Sequence, residues 1–254
     1  GRGAVVPTGL TYCFWSDANR NGVDDGGELE VTTKWNAGAL GSTAPLCTAE
    51  QLARLDPATR TLADHPLADD LGFMQAVLTH LAGYYPVDMR RVYATGFSNG
   101  GEMTGRMALQ MADRFAAFAV AAANLNVAPV PPTRLPPVVF SVGSLDPAWT
   151  TPMDHPDGLP LTASLAGEAA WQDRLGTPWT TALKLSPTPV WSGQRVNGVR
   201  TSRFVYSPTS ANGGTQRFTA WVIEGADHQY PNGSNHPVKM VDLLWDAFKL
   251  ETLP

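Results

Sequence analysis

The stretch RVYATGFSNGGEMTG, residues 91–105, decides the fold. Its apolar first half predicts a strand, and the part after Asn99 has the spacing of an amphipathic helix. Between them Gly-x-Ser-x-Gly surrounds Ser98, the pattern of a nucleophile elbow, in which a sharp strand-to-helix turn exposes the serine hydroxyl. Because that turn is tight, we expect Gly96 and Gly100 to leave room that side chains would fill. The backbone N–H of Asn99, at the helix start, is predicted to face a developing oxyanion.

A serine hydroxyl needs a base and an orienting acid, and the later sequence supplies both. The motif VGSLDP places Asp146 just past a predicted strand, and GADHQYPNG places His228 just past another. The carboxyl ends of strands are where α/β sheets place their sites, and the chain order Ser, Asp, His is that of an elbow-type triad. We therefore predict Ser98 as nucleophile, His228 as general base and Asp146 as the acid that orients the imidazole.

The other histidines and acids have plainer explanations. His236 lies near a predicted helix start, where capping or exposure accounts for it. His80 lies late in a helix, where a cation is favoured. Asp154 does not follow a strand, and Asp227 adjoins His228 and is expected to point away from it. His65 and His155 lie in loops flanked by proline.

Strands that alternate with helices over the chain predict an α/β fold with a largely parallel sheet flanked by helices. We expect one domain over residues 1–254. Predicted strands are 9–15, 91–97, 115–125, 136–146, 203–207 and 218–225. Predicted helices are 69–84, one from Asn99 with Met103, Met107 and Met111 in the core, 164–175, and one from His236 that buries Val238, Val241, Trp245 and Phe248.

Composition excludes several classes of protein. The 254 residues are 43% hydrophobic and carry a net charge of −5, which argues against binding nucleic acid. No apolar run approaches the roughly 18 residues that a membrane span needs. The first residue is not Met, so we expect a processed or trimmed form. Cys13 and Cys47 are equally compatible with free thiols and with a disulfide.

A second motif, from Asp17 to Glu28, reads Asp-x-Asn-x-Asn-Gly-x5-Glu, which is the pattern of a calcium loop. Asp17, Asn19, Asn21 and Glu28 offer hard oxygen ligands, and the carbonyl of Val23 adds another. Strand-like residues on both sides argue against a helix–loop–helix sensor. Either one structural calcium ion stiffens this loop, or its polar side chains satisfy their own backbone.

The motifs together resemble the polyhydroxybutyrate-depolymerase-like esterases, a group of α/β-hydrolases that includes feruloyl and acetylxylan esterases. The likeness rests on the segment 69–108, on KWNAG (34–38), and on the two motifs around Asp146 and His228. It implies the triad named above, a secreted ester hydrolase acting on polymeric or plant-derived esters, and no required cofactor. Residues 1–9 are too short to hold the family's usual N-terminal strands and His-Gly-type loop, which supplies a second oxyanion donor. We therefore expect either that this sequence lacks the first part of the protein or that the sheet is trimmed and the second donor comes from elsewhere.

Two aromatic residues, Trp149 and Tyr230, lie close in sequence to Asp146 and His228. They are predicted to form a wall for an acyl or aryl group, with packing in the core as the alternative for each. Two other functions remain open from the sequence: a non-enzymatic calcium-binding module, and an inactive protein with a hydrolase fold. The sequence leaves the particular ester and the oligomeric state undecided.

Overall fold

The computed structural model describes residues 10–16, 23–24, 28–41, 44–214 and 217–254. The chain divides into two compact units, Gly1–Val87 and Asp88–Pro254. The expectation of one domain over the whole chain stays a prediction. None of the helices in the described ranges combines the length and apolar character that crossing a membrane would need.

The first unit contains a strand pair followed by helices. Its described elements are β1 (Thr11–Trp15), β2 (Leu29–Thr33), α1 (Ala49–Ala53), α2 (Pro57–Ala63) and α3 (Asp70–Tyr84). The two strands pair antiparallel, with Trp15 opposite Leu29. Each helix begins at a side chain that accepts a hydrogen bond from the first turn, as helix N-termini require: Thr48, Asp56 and Asp69. The helix predicted over 69–84 is confirmed.

Tyr12 organises the small core of this unit. It clusters with Phe14 and Leu40, and its hydroxyl accepts a hydrogen bond of 2.7 Å from the Ala68 N–H. Burial raises the pKa of the Tyr12 hydroxyl. Beside it, Cys13 and Cys47 form a disulfide across 34 positions of sequence. Of the two states compatible with the sequence, free thiols and a disulfide, the structure shows the disulfide.

The second unit is built around a mixed six-stranded sheet flanked by helices. Its strands are β3 (Tyr93–Phe97), β4 (Ala117–Ala121), β5 (Val138–Gly143), β6 (Val190–Val196), β7 (Val199–Tyr206) and β8 (Phe218–Ile223). Their spatial order is β3-β4-β5-β8-β7-β6. The first four in this order run parallel, whereas β7 and β6 pair antiparallel. The described sheet with its flanking helices therefore fits an α/β fold, but the strands β7 and β6 at one edge depart from the parallel arrangement expected.

The helices of this unit are short except for two. They are α4 (Asn99–Gln110), α5 (Pro147–Thr150), α6 (Ala169–Trp171), α7 (Thr177–Leu183) and α8 (Met240–Phe248). A π-helical segment, Gln172–Gly176, joins α6 to α7. The helix expected over 164–175 therefore begins later, at Ala169, and continues to Leu183, and a separate 3₁₀ segment, Ala163–Gly167, precedes it. The predicted methionine stripe on α4 is confirmed: Met103, Met107 and Met111 are all buried.

The two faces of the sheet carry different cores, because successive residues of a strand point to opposite sides. One face, with Val139, Trp221 and Ile223, packs against α8. The other carries aromatic side chains that contact buried tryptophans: Phe140 contacts Trp149 and Trp171, Phe204 contacts Trp171, and Phe218 stacks on Trp179.

The last helix differs from its prediction. α8 begins at Met240 rather than near His236, and it buries Met240, Leu244 and Phe248. These residues are four apart and share one face of a helix. Val241 and Trp245 lie one position further round, and they are 63% and 54% exposed. The prediction that both are buried is therefore wrong.

Candidate active site

Ser98 lies on the turn between β3 and α4. Its backbone has φ 52° and ψ −125°, a region that side-chain-bearing residues rarely occupy. The turn is fixed on both sides: the Ser98 N–H donates to the Ala121 carbonyl at 2.9 Å, and the Ser98 carbonyl accepts from Glu102 N–H at 2.9 Å. Such strain persists only where the surroundings hold it, and it is common at functional sites.

Two glycines make this turn possible, and one of them is not the one predicted. A Cβ on Gly96 would lie 2.0 Å from the Gly100 carbonyl oxygen, and a Cβ on Gly101 would lie 2.7 Å from that of Ala121. At Gly100 a Cβ would meet nothing within 4 Å. The expectation holds for Gly96 but is wrong for Gly100, since the helix places Gly101 rather than Gly100 against β4.

His228 follows β8 and reaches Ser98 with one ring nitrogen. Its Nε2 lies 3.0 Å from the Ser98 hydroxyl oxygen. The imidazole is 35% exposed and packs against the Phe97 ring, with centroids 4.8 Å apart. The ring is thus held by Phe97, which precedes the predicted nucleophile, while one edge stays open to solvent.

Asp146 follows β5 and holds the other ring nitrogen. Its carboxylate is fully buried, with Oδ2 2.9 Å from His228 Nδ1. Its Oδ1 accepts a hydrogen bond of 2.9 Å from Ala148 N–H, as the N-cap of α5. Because a carboxylate only accepts, Nδ1 carries the hydrogen, and Nε2 is left to accept from the Ser98 hydroxyl.

The loops that carry Asp146 and His228 are joined by small residues that the sequence analysis did not single out. The Ser144 hydroxyl accepts from Gly225 N–H at 3.0 Å, and Leu145 N–H donates to the Ala226 carbonyl at 2.9 Å. A Cβ on Gly143 would lie 2.2 Å from that same carbonyl oxygen. The sequence did contain a sign of this contact, since Gly143 and Ser144 stand at the end of β5, just ahead of Asp146. A side chain at Gly143 would push the two loops apart.

The remaining histidines of this unit have other partners. His155 Nε2 lies 2.6 Å from Glu168 Oε2. His236 is buried, against the expectation of capping or exposure: its Nδ1 accepts from Val238 N–H, and its Nε2 donates to the Glu224 carbonyl at 2.9 Å.

Three further residues were predicted to belong to the site: Asn99, Trp149 and Tyr230. Asn99 is the first residue of α4, and its side chain donates to Glu102 Oε2 at 3.0 Å. Trp149 is 1% exposed and packs against Phe140, so its contacts are those of a core residue and not of a substrate wall.

Tyr230 is half-buried against the cluster under α8. Burial raises the pKa of its hydroxyl, and a hydrogen bond with Thr95 opposes that rise. These contacts are those of packing, and its contact with a substrate stays a prediction.

The predicted calcium ligands fall mainly outside the described residues. Asp17, Asn19 and Asn21 lie there, whereas Glu28 is described and its Oε2 accepts from Trp15 Nε1 at 3.3 Å. The flanking elements are β1 and β2, so the expectation that no helix–loop–helix surrounds this loop is confirmed. Within the described ranges, no group of three or more His, Cys, Asp and Glu side chains is placed to hold a metal ion.

The chain is similar to an esterase. A protein of Nocardia uniformis subsp. tsuyamanensis described as "Putative esterase NocK" is 29% identical over 226 residues. The alignment covers 82% of this chain but only 62% of that relative's length. No protein-family model matches the chain. The likeness supports an ester hydrolase in general terms.

Proposed function

We propose that the protein is a serine carboxylic-ester hydrolase with an α/β-hydrolase fold. The observation that carries the proposal is the hydrogen-bonded series from Ser98 through His228 to buried Asp146, at 3.0 and 2.9 Å. Each of the three residues follows the carboxyl end of a parallel strand, in the chain order typical of this fold. The similarity to an esterase supports the same reaction class.

In the first half of the proposed reaction, Ser98 Oγ attacks the ester carbonyl carbon while His228 Nε2 takes the hydroxyl proton. The carbonyl bond opens to an oxyanion. When it re-forms, the bond to the alcohol breaks, and the departing oxygen takes the proton from Nε2. Buried Asp146 stabilises the transient imidazolium through Nδ1. The products of this half are the free alcohol and an acyl group on Ser98.

In the second half, water replaces the alcohol. Nε2 removes a proton from the water as its oxygen attacks the acyl carbon, and the same proton returns to Ser98 Oγ when the acid leaves. In both halves the Asn99 N–H, at the positive end of α4, stabilises the oxyanion.

The substrate class is proposed more finely from the motifs that resemble depolymerase-like, feruloyl and acetylxylan esterases: small or polymeric esters of bacterial polyester or plant origin. Secretion is proposed with it. The Cys13–Cys47 disulfide supports an oxidising compartment, since such bonds are rare in the cytosol.

Ser98→Ala tests the proposal. Wild-type protein is expected to hydrolyse p-nitrophenyl butyrate and to react with a fluorophosphonate probe at Ser98. The variant should lose the labelling and about 10³-fold or more of the turnover. Ser210→Ala, at an exposed serine, is the matched control and should retain both. Activity that survives Ser98→Ala would rule out this mechanism, and absence of labelling in the wild type would favour the calcium-module or inactive-hydrolase alternatives.

A further inference from the structure

The β6–β7 hairpin lies at the same edge of the sheet as the catalytic loops. β7 pairs antiparallel with β8, with Thr201 opposite Ile223. The hairpin turn, Asn197-Gly198, has positive φ at both residues, as a tight two-residue hairpin turn requires, and the register places it beyond the end of β8. The Arg200 guanidinium and backbone N–H both donate to the Glu224 carboxylate, which ties the hairpin to the end of β8, four positions before His228.

Trp191 is the aromatic residue that the hairpin presents to solvent. It is 39% exposed, although its indole N–H is already used in a hydrogen bond of 3.2 Å to the buried Ser202 hydroxyl. Its six-membered ring covers Gly193, where a Cβ would lie 3.1 Å from Cζ2. The indole is therefore held in place by the protein, and what it offers a ligand is an apolar ring surface rather than a hydrogen bond.

One concavity adjoins this ring, and a second concavity shares Leu161 and Arg200 with it. The concavity beside the ring has a volume of about 320 Å³ and is lined by Trp191, Gln194 and Arg195. We call the two together the hairpin trough, and all of its lining residues belong to the Asp88–Pro254 unit.

The other concavity has a volume of about 390 Å³ and is lined by Ser144, Asp157 and Glu224. Ser144 lies two positions before Asp146, so the trough extends from the catalytic loops to the tryptophan.

We infer that the hairpin trough is an accessory subsite for the polysaccharide chain that bears the ester. The inference rests on the proposed function. A sugar ring offers a flat C–H face for the indole and hydroxyls that both donate and accept. The trough matches these with guanidinium donors from Arg195, which shares a face of β6 with Trp191, and with carboxylate acceptors from Asp157 and Glu224.

An aliphatic polyester is the poorer fit. Its chain presents methylene groups and carbonyl acceptors but has no donors, so it would cover the Asp157 carboxylate without offering it a hydrogen bond, and it would leave the Arg195 guanidinium as the group that meets its carbonyls. Arg200 lowers the pKa of the Glu224 carboxyl through a hydrogen bond, which keeps this acceptor ionised. The mixed polarity of the lining therefore favours a hydroxyl-rich chain.

Binding in the Ser98→Ala background tests the inference without turnover. Full-length Ser98→Ala protein is mixed with insoluble acetylated xylan, deacetylated xylan or polyhydroxybutyrate granules, and the free fraction is measured. We expect retention on both xylans and little on the polyester. Adding Trp191→Ala should weaken xylan binding about tenfold, the change that ~1.4 kcal/mol of lost contact gives. Trp191→Phe, which keeps a ring, should lose less.

Trp245→Ala is the matched control, since it removes a tryptophan of α8 that is 54% exposed, more than Trp191. Equal weakening by the two alanine variants, or equal retention on polyester, would overturn the subsite. So would absence of xylan binding by a protein whose wild type shows Ser98-dependent hydrolysis of p-nitrophenyl butyrate. Loss of that small-ester activity in the wild type would instead refute the proposed function, so the two failures are distinguishable. Melting curves of each variant exclude misfolding as the cause.

Discussion

At the scale of single residues, the site depends on which nitrogen of His228 carries hydrogen. Asp146 is fully buried and accepts from both Ala148 N–H and His228 Nδ1–H. It therefore selects the tautomer whose Nε2 can accept the proton of Ser98. In the proposed reaction the carboxylate need not touch a substrate, since it acts on the rate through the imidazole.

Asp146→Asn is expected to keep the fold and lose the reaction. The amide oxygen can still cap α5, but its NH₂ group would donate to Nδ1 and place the hydrogen on Nε2. We expect kcat to fall about 10⁴-fold, as for an acid that orients a triad histidine. The measurement is p-nitrophenyl butyrate hydrolysis, with the exposed Asp154→Asn as control. A loss below tenfold would contradict the assigned role.

The glycines of the elbow make a second prediction, for stability. Gly96→Ala places a Cβ against backbone that cannot yield, so the free energy of unfolding should fall by about 1–3 kcal/mol. Gly100→Ala enters open space in a helix and should be neutral, or stabilising by up to about 1 kcal/mol. Urea unfolding of the two variants separates them, and similar losses would show that the geometry of this turn is wrong.

At the scale of elements, β7 and α6 are joined by a buried polar contact. Trp171 Nε1 donates to the Tyr206 hydroxyl at 3.0 Å, and both side chains are fully buried. Burial raises the pKa of the Tyr206 hydroxyl, so the folded protein holds this proton more tightly than the unfolded chain does. The stability that the proton contributes is complete below the unfolded pKa of about 10, and it is lost as the pH rises through the folded pKa.

Tyr206→Phe leaves the indole N–H without its acceptor and should cost about 1–3 kcal/mol at neutral pH. Above pH 10 the difference from wild type should shrink, because phenylalanine has no proton to lose. Urea unfolding at pH 7 and pH 10.5 measures both effects. The control is Tyr84→Phe, at a tyrosine that is 74% exposed and should change stability by less than about 0.5 kcal/mol. A difference in unfolding free energy between Tyr206→Phe and wild type that widens with pH would contradict this prediction.

At the scale of the whole molecule, the Gly1–Val87 unit has a small hydrophobic core, and a disulfide bond adds to its stability. The Cys13–Cys47 bond joins β1 to the segment ahead of α1. Closing a loop of this length stabilises a fold by about 3–4 kcal/mol in the loop-entropy account. Cys13→Ala with Cys47→Ala should lower the melting temperature of the transition that involves this unit. Reductant should do the same to wild type and nothing further to the double variant.

The loop between β1 and β2 is where we propose one structural calcium ion. The Ser16 N–H donates to the Glu28 carbonyl at 2.9 Å, which brings together the two ends of the segment that carries the predicted ligands. Calcium is expected to raise the melting temperature and EDTA to reverse the rise, with Glu28→Gln abolishing the response. No heat on calorimetric titration, together with no effect of EDTA, would remove the ion and leave a polar turn.

Local signals in the sequence sufficed for the helices over 69–84 and from Asn99, for the strand ahead of Ser98, and for predicting that Ser98, Asp146 and His228 lie together. Each depends on neighbours in the chain: hydrophobic spacing, a cap, or a strand that ends at a polar loop. The β6–β7 hairpin was also marked locally, by Asn197-Gly198 between β-branched residues, although the Pro- and Trp-rich composition around it concealed the strands.

Only the tertiary structure decided the features that depend on partners distant in the chain. It placed Trp149 in the core and Trp191 at the surface, although both are tryptophans in the same irregular region. It set the rotation of α8, because the face that packs on the sheet is chosen by Trp221 and Ile223 of β8. It paired Cys13 with Cys47 and brought His228 to Ser98 across 130 positions. Sequence patterns report which residues recur at a local period, whereas burial and contact depend on where other strands place their side chains.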